Sequence, residues 1–160
     1  MKKRKQLPRF IYTLIDELCA SPTRPLSEVK RTSQLAAMWS GLAALETGAN
    51  PCRNDWAVCS DAVNLLETLV IDGHVEDSQG LLPDAITALA EAGKRSIKGL
   101  PLRLSGLGMQ AVRAVLEDYS AMIEQLPART MIRAHRLTER RIHGIHSGKK
   151  QAHDVEVVAL

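Results

Sequence analysis

Arg129, Arg133, Arg136, Arg140 and Arg141 crowd one stretch of this chain, and Lys149 and Lys150 follow it. Arginine outnumbers lysine within the stretch, and a guanidinium presents a planar fork of donors that matches a phosphate or carboxylate with two parallel hydrogen bonds. On a helix, Arg133, Arg136 and Arg140 recur at i, i+3 and i+7 and share a face. Such a row can lie along a nucleic-acid backbone, or against an acidic protein surface. The competing reading is a helix that docks on the acidic body of its own chain, for example through Glu117, Asp118 or Glu124. These seven bases are the candidate binding residues.

Other reactive residue types give weaker patterns. His143 and His146 stand three apart, but no carboxylate or cysteine sits at a ligand spacing beside them, and their surroundings are cationic. His74, His135 and His153 are scattered. All five histidines are therefore read as surface residues, with no metal and no cofactor expected. The acid pairs Asp16-Glu17, Glu76-Asp77 and Glu117-Asp118 are adjacent in sequence, so on a helix they diverge and read as solvated edges. Cys52 and Cys59 are spaced to face one side of a helix as buried thiols. With Cys19 they make an odd, small set that argues against a disulfide framework. Ser105-Gly106-Leu107-Gly108 opens a helix like a phosphate nest, but lacks the Lys-Ser/Thr of a P-loop and the buried strand of a dinucleotide fold. Nothing pairs a nucleophile with a base, so the chain is not expected to be an enzyme.

Charge is distributed unevenly. Residues 1–9 carry five bases and no acid, residues 10–128 carry nine bases against fifteen acids, and residues 129–150 carry seven bases against Glu139 alone. The net +3 of the whole chain conceals an acidic body between two basic segments. That asymmetry points to a polyanion or an acidic partner.

The elements that must position these residues read as helices. Aromatics are only 3% of the chain, so its core must come from Leu, Ala, Val, Ile and Met, which favours helix. Pro8 opens a short first helix through Ala20, with Phe10, Ile11, Leu14, Ile15 and Leu18 on one face. Two prolines, Pro22 and Pro25, break the chain before a second helix begins near Ser27 and carries Leu35, Met38, Trp39, Leu42 and Leu45 to a left-handed stop at Gly48. A third helix, capped by Asn50 or Asn54, presents Trp56, Cys59, Val63, Leu66 and Val70 and stops at Gly73. The short link makes these two an antiparallel pair, with Trp39 and Trp56 buried near each other. A fourth helix spans Leu82–Ser96, a fifth Leu107–Gln125, and the arginine-rich sixth follows Pro127. Between the fourth and fifth, Leu100, Leu102 and Leu104 alternate like a short edge strand that Val155 and Val157 could join. The expected fold is all-α: a single-domain bundle of five to six helices with room for one very short two-stranded ribbon. It divides into a basic, disordered arm (1–9), a helical domain (10–148) and a C-terminal tail (149–160). No apolar run reaches membrane-spanning length and no signal segment is evident, so a cytoplasmic protein with no membrane partner is expected.

Trp39 with Gly48, then Asn54-Asp55-Trp56, Asp61-Ala62-Val63-Asn64 and Glu67, resembles small helical proteins carried by phages and plasmids of proteobacteria, some of them labelled Fis-type transcriptional regulators. The resemblance extends over residues 35–147 and rests on structural positions, so it transfers no functional residue. It implies a mobile-element origin. With the basic ends, the expectation is a nucleic-acid-binding or transcription-associated accessory protein, with a homodimer admitted. The alternative is a non-enzymatic adaptor or inhibitor that binds a host or plasmid protein.

Overall fold

A computed structural model describes residues 11–148, which form an all-α single bundle of six helices with no strand. In chain order these are α1 (Leu14–Cys19), α2 (Glu28–Thr47), α3 (Arg53–Ile71), α4 (Leu82–Ile97), α5 (Gly106–Gln125) and α6 (Ala128–His146). The basic arm, the C-terminal tail, Lys149 and Lys150 lie outside the described residues. So do Pro8, Phe10, His153, Val155 and Val157.

The central helix is α3. Eleven of its nineteen residues are buried, and it packs against α2, α4, α5 and α6. Its partners α4 and α5 bring Ile86, Leu89, Val112, Leu116 and Ile123 into the same core. Two glycines set how closely the pairs approach. A Cβ on Gly41 would fall 2.4 Å from Val58 Cγ2 and 2.7 Å from the Asp55 carbonyl oxygen, so α2 meets α3 almost backbone to backbone. A Cβ on Gly108 would fall 2.7 Å from Ala88 Cβ, where α5 crosses α4.

Helix ends follow local chemistry, in places different from the sequence expectation. α1 starts later than Pro8, because Thr13 and Asp16 form a reciprocal capping box: Asp16 Oδ2 accepts from the Thr13 N–H, and Thr13 Oγ1 accepts from the Asp16 N–H. α3 is capped at Cys52 rather than at either asparagine, since Asp55 Oδ2 accepts the Cys52 N–H at 2.7 Å. That leaves Cys52 exposed while Cys59 is buried, so the two thiols do not share a face. Gly73 closes α3 with φ +73° as expected, whereas Gly48 closes α2 in an extended conformation. Its lack of a Cβ still matters, because one would sit 2.3 Å from the Ala44 carbonyl oxygen.

Three further expectations are corrected. The alternating leucines 100–104 form an irregular connector: Pro101 cannot donate to a ladder, Leu102 turns into the core and Leu100 faces solvent. Trp56 is buried, with its indole N–H on the Leu89 carbonyl at 2.9 Å, but Trp39 is only half-buried and the two rings make no contact. The largest departure is α1. Its aliphatic face points outward, leaving Ile11, Leu14, Ile15 and Leu18 between 54% and 73% exposed, and no residue of the helix is buried.

Candidate polyanion-binding face

Among the described residues α6 packs mainly on α3 and α1. Its first N–H groups are already taken, since Ala128 N donates to the Arg24 carbonyl and Arg129 N to the Ser21 carbonyl. The apolar stripe Met131, Ile132 and Ala134 anchors the helix in the core. That anchoring fixes where each arginine points, and the five separate into two groups.

Three arginines are consumed inside the molecule. Arg141 reaches the buried face of α3, where Nη2 lies 2.9 Å from Glu67 Oε2 and Nη1 donates to Thr68 Oγ1 at 2.7 Å. Thr68 Oγ1 in turn meets Thr138 Oγ1 at 2.6 Å, tying α3 to α6 through a polar seam. Glu67 has no exposed surface, and burial raises its carboxyl above the usual range despite the attraction of Arg141. Arg136 forms an ion pair with Glu17 of α1, both side chains being largely shielded. Arg129 donates to the Leu18 and Ala20 carbonyls, satisfying the end of α1. The self-docking partners are thus Glu67 and Glu17. Of the acids expected in that role, Glu124 pairs with Arg31 and Asp118 accepts a long bond from Gln79. Glu17 is accordingly no solvated edge. Asp77 also departs from that expectation, because it caps α4 by accepting from Leu81 N and Leu82 N.

Arg133 and Arg140 remain. Both are exposed, and neither forms an ion pair or hydrogen bond among the described residues. They stand two turns apart on the stripe that also carries Arg129 and Arg136. His143 and His146 extend the exposed basic surface through the last turn of α6.

The contacts of α1 also fix its direction. Leu18 and Ala20 lie at Arg129, Glu17 at Arg136, and the Ile11 N–H donates to Glu139 Oε1 at 3.1 Å. α1 therefore runs antiparallel to α6. The point where residues 1–10 join the described chain is level with Glu139, about 10 Å along the helix from its last turn.

His135 is not the surface residue expected. Its ring packs against Tyr12 with centroids 5.3 Å apart, its Nε2 is shut from solvent without a partner, and burial pushes its pKa down to about 4. One turn on, Glu139 Oε2 is likewise shut away and unpartnered. The Asp61 carboxyl on α3 keeps exposed surface, yet neighbouring protein desolvates it and the nearby Glu139 charge adds to raise it above the usual range. Nothing in the sequence pattern singled out this group. The only cue was that His135 and Glu139 flank the apolar stripe at i, i+4. Among the described residues no group of three or more His, Cys, Asp or Glu converges to hold a metal. The Ser105 loop caps its own helix, with Ser105 Oγ accepting the Gly108 N–H, and Gly108 serves the close helix crossing.

Fold and face together describe an all-α bundle whose last described helix both locks the structure and presents cations. The chain matches no protein-family model, no curated protein and no solved structure. Among the described residues no helix is long and apolar enough to cross a membrane.

Proposed function

We propose that this protein acts by binding a nucleic acid or similar polyanion through its basic end, as an accessory factor rather than a catalyst. The observation that carries this reading is the pair of exposed arginines on α6, Arg133 and Arg140, which have no ion pair or hydrogen bond among the described residues. Ile11 bonds to Glu139, next to Arg140 in the chain, and the sequence just before Ile11 and just after α6 is rich in bases. The net negative charge of residues 10–128 repels a polyanion and favours its approach to the arginines of α6. Arg133 and Arg140 supply bidentate phosphate contacts, and the lysines add point charges. Contacts of this kind go to the phosphate backbone, so binding should be insensitive to sequence.

The test is fluorescence anisotropy with a labelled mixed-sequence duplex across a salt series. Affinity should fall with a log–log slope of roughly −0.9 per phosphate neutralised. Replacing Lys2, Lys3, Arg4 and Lys5 by Ser, or Arg133 and Arg140 by Ala, should each weaken binding in part, and the combination should abolish it. Absence of binding at ~50 mM salt would remove this reading.

A second reading, an adaptor or inhibitor that binds another protein, is favoured by the outward aliphatic side chains of α1. Bundle helices normally turn such faces inward, and contiguous exposed apolar surface marks interaction sites.

A further inference from the structure

A second candidate surface lies where α4 ends and α5 begins. α5 is twenty residues long, so this region stands about 30 Å from the start of α6. Three large aliphatic side chains face solvent here: Ile97 at 74%, Leu100 at 53% and Leu107 at 81%. Lys94, Arg95, Lys98 and Arg103 are exposed among them, and no Asp or Glu occurs between Glu91 and Glu117. The body as a whole is acidic, so this concentration of bases is a local reversal of sign.

The surface is shaped as well as charged. A cleft of about 140 Å³ opens between the first turn of α3 and the last turns of α4. Trp56, Gly93 and Leu102 line it, with Arg53 and Ser96 at the polar side and Ile97 beside it. The Arg95 guanidinium bonds to the Arg103 carbonyl, which holds the connector against α4. The volume suits one inserted aliphatic or aromatic side chain.

We infer that this is a docking site for a short acidic, amphipathic segment of a partner protein. One apolar side chain enters the cleft, others cover Ile97, Leu100 and Leu107, and flanking carboxylates meet Arg53, Lys98 and Arg103. Charge complementarity selects an acidic ligand. The cleft and the aliphatic side chains select a peptide over a phosphate backbone, which has nothing to insert, and over a lipid surface, which needs no cleft. The site does not depend on the polyanion reading, so loss of duplex binding would leave it standing.

The experiment is selection of a displayed random-sequence peptide library on the full-length protein, followed by titration of the enriched sequences as free peptides. Trp56 fluorescence, read in a Trp39→Phe background, provides a local readout. The expected result is enrichment of Asp and Glu interspersed with Leu or Phe. Ile97→Ser with Leu107→Ser, and separately Lys98→Glu with Arg103→Glu, should each weaken binding at least tenfold. All four side chains are exposed, so an unchanged circular dichroism spectrum checks that the fold is kept. The proposal is overturned if no acidic sequence is enriched, or if binding is indifferent to both pairs of substitutions. It is equally overturned if phosphatidylglycerol vesicles or a DNA duplex, and not the peptides, show the loss in those variants.

Discussion

Glu67 is a carboxylate with no exposed surface in the middle of the most buried helix, and its counter-ion comes from a helix more than sixty residues further along the chain. Removing one member of such a pair strands the other's charge. Arg141→Ala should therefore cost roughly 3 kcal/mol of stability, while Glu67→Leu with Arg141→Leu together should cost less than that single change. Urea denaturation of both variants checks the order. His135 makes a pH-dependent contribution of definite sign. Its pKa is depressed from 6.5 to about 4, so the unfolded chain takes up the proton first. Stability from this group is intact above pH 6.5 and is lost as pH falls toward 4. The loss approaches about 3 kcal/mol. Glu67, with a raised carboxyl pKa, works in the opposite sense: its contribution is fullest below its ordinary value of 4.5 and declines as pH rises. The informative quantity is the wild-type curve minus that of His135→Gln, which should steepen below pH 6.5. A flat difference would mean that the imidazole is not buried as described. Neither role was legible in the sequence, because partners distant in the chain decide them.

At the scale of elements, periodicity located α2 to α6 well, since each buries a stripe of Leu, Val, Ile, Ala or Met on the core. It failed for α1, whose stripe has the same spacing but faces water. The spacing of Ile11, Leu14, Ile15 and Leu18 shows amphipathicity, not which side is covered. Glu17 and the backbone carbonyls at 18 and 20 decide the matter by binding Arg136 and Arg129. A helix held mainly by polar contacts should open easily. Amide exchange in residues 14–19 should be orders of magnitude faster than in residues 62–69 of α3, and Arg136→Ala should speed it further. Equal protection of the two segments would contradict this account of α1. The close helix crossings make a complementary prediction. Gly41→Ala should destabilise by about 1–3 kcal/mol, because the added carbon meets the Asp55 backbone, which cannot rotate away. A thermal melt of that variant decides it.

For the whole molecule, the sequence revealed the charge partition but not its use. Five arginines in one helix read as a candidate binding set with Arg133, Arg136 and Arg140 on one face, and their spacing could not show that Arg129, Arg136 and Arg141 would be bound internally while Arg133 and Arg140 stayed unpaired among the described residues. Nor could it show that α1 runs antiparallel along α6. The central claim is that α6 divides its arginines between holding the fold and binding a polyanion. Melting temperature and duplex affinity at ~50 mM salt, measured on the same samples of Arg133→Ala with Arg140→Ala and of Arg141→Ala, test it most directly. The account predicts opposite outcomes: the first variant keeps its melting temperature but binds more weakly, with a salt slope flattened by about two units, and the second loses melting temperature but, while folded, binds like the wild type. Equal affinity loss in both variants, or a lowered melting temperature in the first with binding unchanged, would contradict it.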